Sequence, residues 1–366
     1  MSLFRTALDG LIPYEPGKPE EELQRELGLD RVVKLASNEG PWGPFPAALE
    51  ALARSAATLN RYPDGGAYHL KNALAERHGV GPEQVVTGAG ADAIIGHLSV
   101  AALDPGDEIV TGWPSFISYV LDALKLGAVP VRVPLRDGHL DLEAMLAAIT
   151  PRTKLVYIAT PNNPTGTMTG RAELDAYFDR VPEHVLTVLD QAYLEYIDEA
   201  DYPDGVEEYV KRGCNVLVLR TFSKIYGLAG LRVGYGVGSA ETIAAIGKVR
   251  RAFDVSTPGQ VGALASIDGH EELERRRALT ATGRVELVAT LRAHGLEVAG
   301  PAVANFVFTE VGEDARPLYD ALLREGAIVR PMGAFGAPGA LRITVGTPEE
   351  NAFFARALAS VRAATT

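Results

Sequence analysis

A chain of 366 residues, 47% of them hydrophobic, is long for one compact core and suits about two domains. Its formal charge of −12 does not suit a polyanion-binding surface, which needs clustered Lys and Arg, so no nucleic-acid partner is expected. The single cysteine, Cys214, leaves no internal disulfide and suits a reducing cytoplasm. MSLFRTALDG lacks the apolar core and cleavage site of a secretory leader, and the longest apolar run, at 93–103, is too short to cross a membrane and carries His97. The expectation is a soluble, cytoplasmic protein.

In chain order, β-rich runs alternate with helical patterns, the signature of parallel strands joined by crossover helices. Strands are predicted at 84–88 (QVVTG), 108–112 (EIVTG), 129–133 (VPVRV), 154–159 (KLVYIA), 185–190 (VLTVLD) and 216–220 (VLVLR). Helices are predicted near 91–103, 115–126, 141–149 and 171–180, with Asp141 as N-cap of the third. From about 255 the pattern changes to a long charged helix (271–295), the run ANFVFTEV (304–311), a further helix, AIVRP (327–331) and ALRITVG (340–346). This reads as a smaller α+β domain packed with the N-terminal forty residues. The expected division is 41–254 for a large domain and 1–40 with 255–366 for the small one.

Three motifs carry chemistry. RTFSKIYGLAGLR (220–232) sets Lys224 beside hydroxyls, with Arg232 eight residues on. Apolar Phe222 and Ile225 nearby would depress the Lys224 pKa by desolvation, which suits a nucleophile and base near neutral pH. LDQAY (189–193) puts Asp190 at the end of an apolar run, where a parallel strand delivers a side chain to the carboxyl edge of a sheet; a plain helix cap is the rival reading. GAGAD (88–92) follows a strand and opens a helix, so the amides of Ala91 and Asp92 can face an anion. Read alone, G-x-G-x-x-A suggests a dinucleotide fold, a weak signal. The guanidinium fork of Arg232 suits a phosphate.

With TPNNPTG (160–166) and ALRITVG added, the chain resembles fold-type I pyridoxal-phosphate aminotransferases nearly end to end, and most closely the histidinol-phosphate aminotransferase group. The resemblance implies an α/β fold: a large domain with a mostly parallel seven-stranded sheet flanked by helices, plus a smaller α+β domain. It implies pyridoxal 5'-phosphate as cofactor and no metal. Lys224 would hold the cofactor covalently and move protons. Asp190 would face the pyridine nitrogen, and Tyr193 and Asn163 the phenolic oxygen. Ala91, Asp92, Thr221, Ser223 and Arg232 would bind the phosphate, and Phe116 would stack on the ring, although an aromatic at a helix start is also ordinary core. Tyr62, in NRYPDGGAYHL, would reach the partner subunit's cofactor, which makes the protein a homodimer with shared sites.

For substrate, the resemblance points to Tyr14, Asn38, Asn163, Arg330 and Arg342, the last gripping a carboxylate or phosphate. At LASNEGPWGP (35–44) the chain departs from the commoner N-E-N-P pattern, carrying Gly40. The implied reaction moves an amino group from histidinol phosphate to 2-oxoglutarate in histidine biosynthesis. An aromatic amino acid aminotransferase is the alternative, and a related phosphothreonine decarboxylase a more distant one.

Overall fold

The structure is a computed structural model that describes residues 3–11 and 18–364; Tyr14 lies outside them. Its strands are Val33–Lys34 (β1), Val85–Gly88 (β2), Glu108–Trp113 (β3), Val129–Pro134 (β4), Thr153–Ala159 (β5), Leu186–Asp190 (β6), Val216–Thr221 (β7), Gly234–Val237 (β8), Glu297–Val298 (β9), Phe306–Glu310 (β10), Ala327–Ile328 (β11), Arg330–Pro331 (β12) and Ala340–Thr344 (β13). Seven of them form one sheet in the order β2-β8-β7-β6-β5-β3-β4. The pairs from β4 through β3, β5 and β6 to β7 are parallel, and β8 alone runs antiparallel, between β2 and β7.

The strands read as near-continuous apolar runs because both faces of the sheet are covered. Successive side chains of β5 point opposite ways: Val156 and Ile158 join a core with Leu74, Leu174 and Tyr177, while Leu155 and Tyr157 join one with Ile94, Leu98 and Ile246. Helices Tyr68–His78 and Arg171–Phe178 cover the first face, and Ala91–Ala102 and Ala240–Val249 the second. Ala263, Ile267 and Leu273 also pack into the first core, beside Phe45 and Ala48.

All six strands predicted for this sheet are present; the seventh, β8, was missed. Its sequence GYGV has little side chain to show a pattern, and for a steric reason. A Cβ at Gly236 would stand 3.1 Å from Leu217 and 3.2 Å from Val86, and one at Gly234 would lie 2.4 Å from the Ala91 nitrogen.

The second sheet is antiparallel, in the order β12-β13-β10-β9, and β1 pairs with β11 in parallel. Its core of Leu287, Leu291, Val307, Ile343 and Phe354 lies under helices His270–Ala293 and Pro348–Ala363. The run AIVRP splits at Val329 into β11 and β12, which belong to different sheets. Register places Arg330 of β12 directly opposite Arg342 of β13. Asp141 caps its helix as expected, accepting from the Ala144 nitrogen at 3.0 Å. Among the described residues no helix is long and apolar enough to cross a membrane.

Candidate active site

The carboxyl ends of β5, β6 and β7 lie side by side, with Ala159 in register with Asp190 and Asp190 with Leu219. Chains leaving these ends deliver Asn163, Asp190, Tyr193, Thr221 and Lys224 to one cavity of about 520 Å³, as expected for ligands of an open α/β sheet. Ala91, Asp92, Phe116, Asn38, Ser223, Arg232, Arg330 and Arg342 line it too. Of the described residues predicted for the site, only Tyr62 stands elsewhere: it is 82% exposed and stacks on Phe253 with ring centroids 4.6 Å apart.

Lys224 follows β7, in the tight turn that leads to Gly227. Its Nζ donates to the Ser37 carbonyl at 3.5 Å and lies 5.7 Å from the centre of the Tyr193 ring. Burial first, and then the positive charge of Arg342, lower its pKa from 10.5 to about 8. That is the direction expected from its apolar neighbours. At pH 7 such an amine is about 10% neutral, roughly 300-fold more than one at its ordinary value.

Asp190 ends β6 as a buried carboxylate. The Tyr119 hydroxyl donates to Oδ2 at 2.6 Å and the Ala192 nitrogen to Oδ1 at 3.0 Å. Burial raises its pKa, and the two hydrogen bonds pull against that rise. Tyr119 was missed in the sequence, yet it stands three residues after Phe116, in the first turn of the helix Ile117–Leu126 that Phe116 precedes. The two rings meet edge to face at 5.5 Å, and Tyr119 stacks on Tyr157 at 4.3 Å.

Tyr193 is buried, with its hydroxyl pushed up to about 12 by desolvation, and it accepts from Asn38 Nδ2 at 2.9 Å. Asn38 takes a left-handed backbone (φ 55) and is pinned from the small sheet: Thr344 Oγ1 accepts from its nitrogen at 3.0 Å and donates to its Oδ1 at 3.2 Å. Asn305 Nδ2 donates to its carbonyl at 3.1 Å. Arg342 is also buried; it donates to Asn163 Oδ1 at 2.5 Å and to the Ala36 carbonyl at 2.7 Å. Two like charges directly opposite on neighbouring strands repel, so the Arg330–Arg342 pair is suited to an anion placed between them.

At the far end, helix Ala91–Ala102 starts at the cavity. Gly90 has φ +84, and a Cβ there would meet Arg232 Nη2 at 2.6 Å, so only glycine lets the guanidinium lie against the helix start. Arg232 Nη1 donates to Ser223 Oγ at 3.4 Å. Thr221 Oγ1 accepts from the Ser223 nitrogen at 3.1 Å and so shapes the loop as well as lining the cavity. Asp254, also missed, holds the glycine turn by accepting from the Ala89 nitrogen at 3.0 Å. Helix amides, a guanidinium and a hydroxyl make an anion cradle of phosphate chemistry.

Among the described residues no cluster of His, Cys, Asp and Glu could hold a metal ion. A lysine of lowered pKa, a buried carboxylate and an anion cradle at opposite ends of one cavity fit pyridoxal phosphate, a ring with an aldehyde, a basic nitrogen and a phosphate arm. This architecture defines a fold-type I pyridoxal-phosphate enzyme.

Comparison with known proteins narrows the class. Residues 30–358 match the family described as aminotransferase class I and II. A histidinol-phosphate aminotransferase from Moorella thermoacetica is 45% identical over 98% of this chain and 93% of its own length. One from Pseudomonas aeruginosa is 44% identical over 99% and 98%. The crystal structure of a histidinol-phosphate aminotransferase from Sinorhizobium meliloti in complex with pyridoxal-5'-phosphate matches with TM-score 0.91 at 30% identity, covering 100% of this chain and 99% of that one. An aspartate aminotransferase from Thermus thermophilus with maleate matches with TM-score 0.84 at 26% identity, over the full length of both. The chain belongs to the class I and II aminotransferases, in their histidinol-phosphate aminotransferase family. It is a pyridoxal-phosphate-dependent transferase.

Proposed function

We propose that the enzyme transfers the amino group of histidinol phosphate to 2-oxoglutarate, a step of histidine biosynthesis. Supporting this reading beside the relatives is one observation: Arg330 and Arg342 stand opposite each other over the cavity, two cations for a doubly charged phosphate. An aromatic amino acid would offer that pair a single carboxylate charge.

The bound cofactor supplies an electron sink for the bond broken at the substrate's α-carbon. Lys224 is the residue that would hold the cofactor through its amine and, once free, would carry a proton, for which its lowered pKa suits it. Asp190, oriented by Tyr119 and the Ala192 nitrogen, keeps the pyridine nitrogen protonated. Tyr193 and Asn163 would hydrogen-bond the phenolic oxygen, and Phe116 would pack on the ring. Ala91, Asp92, Thr221, Ser223 and Arg232 hold the phosphate arm. Asn38, Asn163, Arg330 and Arg342 would orient the substrate; Tyr14, assigned to the same task, lies outside the described residues.

In this reading residues 41–254 hold the cofactor, and residues 1–40 with 255–366 supply the substrate side. Tyr62, exposed and stacked on Phe253, serves the neighbouring cavity of a cytoplasmic homodimer. Borohydride reduction of the cofactor-loaded enzyme followed by peptide mapping tests the site, with the label expected on Lys224. Incubation with histidinol phosphate and 2-oxoglutarate tests the reaction, with glutamate expected. Label on Lys248, or carbon dioxide released from phosphothreonine without any need for 2-oxoglutarate while histidinol phosphate yields no glutamate, would overturn the reading.

A further inference from the structure

The segment from Ala36 to Gly43 borders the cavity through Ala36, Ser37 and Asn38, and several of its contacts bear on the candidate site. Ala36 gives its carbonyl to Arg342, Ser37 gives its carbonyl to Lys224, and Asn38 gives its side-chain amide to Tyr193. One side of the segment is tied to the small sheet through Thr344 and Asn305. Beyond Asn38, whose amide reaches Tyr193, the segment makes a closer approach through glycine. It lies backbone against backbone on the turn after Lys224.

Two glycines make that approach possible. A Cβ at residue 40 would stand 2.7 Å from the Lys224 carbonyl oxygen, closer than real Cβ contacts come, with the buried Tyr196 hydroxyl 3.8 Å away on another side. A Cβ at residue 227 would stand 2.3 Å from the Gly43 carbonyl and 2.8 Å from that of Trp42. Gly227 also has φ +70, whereas Gly40 has no left-handed backbone, so at Gly40 the requirement is space alone. The neighbouring Gly43 differs: a Cβ there would meet nothing within 4 Å.

We propose that Gly40 and Gly227 are positioning residues, forming a side-chain-free seam that sets how closely residues 36–40 cover the Lys224 amine. The inference rests on the reading of Lys224 as the cofactor lysine and concerns residues with no contact of their own to cofactor or substrate. A closed seam holds the Ser37 carbonyl against the amine, which stays half-buried at the cavity wall, in keeping with burial as the first cause of its lowered pKa. The same closure fixes the Ala36 carbonyl on Arg342 and the Asn38 amide on Tyr193, so one backbone approach adjusts both ends of the reaction. It also gives a physical account of the glycine at position 40.

Gly40→Ala in the full-length chain is the direct test, with Gly43→Ala as control because its added methyl enters open space. The first readout is the pH dependence of the rate at which the cofactor-free full-length chain takes up pyridoxal phosphate, followed by visible absorbance. Gly40→Ala is expected to move the midpoint to higher pH, lowering the neutral-pH uptake rate about tenfold per unit moved, and to raise KM for histidinol phosphate more than it lowers kcat. Gly43→Ala is expected to keep the parental profile. Thr344→Val, which removes both Thr344 hydrogen bonds to Asn38 at nearly constant volume, decides the matter if Gly40→Ala does not fold; it is expected to shift the midpoint the same way. A folded Gly40→Ala protein with the parental profile, equal shifts in Gly40→Ala and Gly43→Ala, or an unmoved Thr344→Val in the fallback case overturns the seam. A wild type that takes up cofactor yet fails to transaminate histidinol phosphate overturns the substrate reading instead, and the uptake profiles still decide the seam.

Discussion

Replacing Tyr119 with phenylalanine removes one hydroxyl from a buried ring and leaves its stacking on Tyr157 in place. The hydroxyl donates to Asp190 Oδ2 at 2.6 Å, a charge-assisted hydrogen bond inside a desolvated pocket. Such a bond to an ionised group contributes about 1.5–3 kcal/mol, equivalent to roughly 10- to 150-fold in an equilibrium or rate. Of the two hydrogen bonds that oppose the effect of burial on Asp190, that from the Ala192 nitrogen then remains. The carboxyl pKa therefore rises further, and the ionised form that pairs with a protonated pyridine is lost at higher pH than in the parent. The expected result is a fall of about 10- to 150-fold in kcat/KM, with the acid limb of the pH profile displaced upward, measured by steady-state kinetics across pH with cofactor saturating. A Tyr119→Phe enzyme with parental kcat/KM and an unmoved acid limb, altered only in thermal midpoint, would show that the hydroxyl serves the fold and not Asp190.

Other outcomes follow from the same geometry. Arg342→Ala removes the buried cation proposed to pair with the substrate's phosphate, a change that costs about 3–5 kcal/mol in buried charge pairs. KM for histidinol phosphate should rise by more than a hundredfold while the bound-cofactor spectrum persists; an unchanged KM in a titration sinks the anchor role. Lys224 binds fewer protons folded than unfolded between about pH 8 and its ordinary 10.5, so its contribution to unfolding free energy grows as pH rises through that window and is absent below it. Urea titrations of the cofactor-free chain should show a steeper rise with pH across that window than in Lys224→Met, and parallel curves refute the shift. Tyr62→Phe should weaken cofactor retention by about 1 kcal/mol, as for one lost hydrogen bond, in a protein that sediments as a dimer; a fully active monomer contradicts the shared site.

The sheet was legible wherever strands were buried on both faces, because 154–159, 185–190 and 216–220 are apolar runs closed by turn residues. It was illegible at Gly234–Val237, where crowding by Leu217, Val86 and the Ala91 nitrogen demands glycines that carry no pattern. The break in 327–331 was hidden for a different reason: Val329 is as apolar as its neighbours, and the change of sheet there is set by partners distant in sequence. Residues gathered into the cavity were readable because their motifs are local, each a strand end with a short turn. Asp254 was not, since it holds the glycine turn from 165 residues away. Gly40 was noticed only as a departure from a pattern, and its meaning depends on a carbonyl 184 residues later, which no reading of the segment itself contains.

The most direct test of the account is a single-turnover experiment on the cofactor-loaded wild type, mixing it separately with histidinol phosphate, phenylalanine and tyrosine at equal concentration and following loss of the visible band. Histidinol phosphate should discharge that band fastest, and subsequent 2-oxoglutarate should restore it. If phenylalanine or tyrosine reacts faster, the Arg330–Arg342 pair does not select a phosphate and the proposed substrate is wrong.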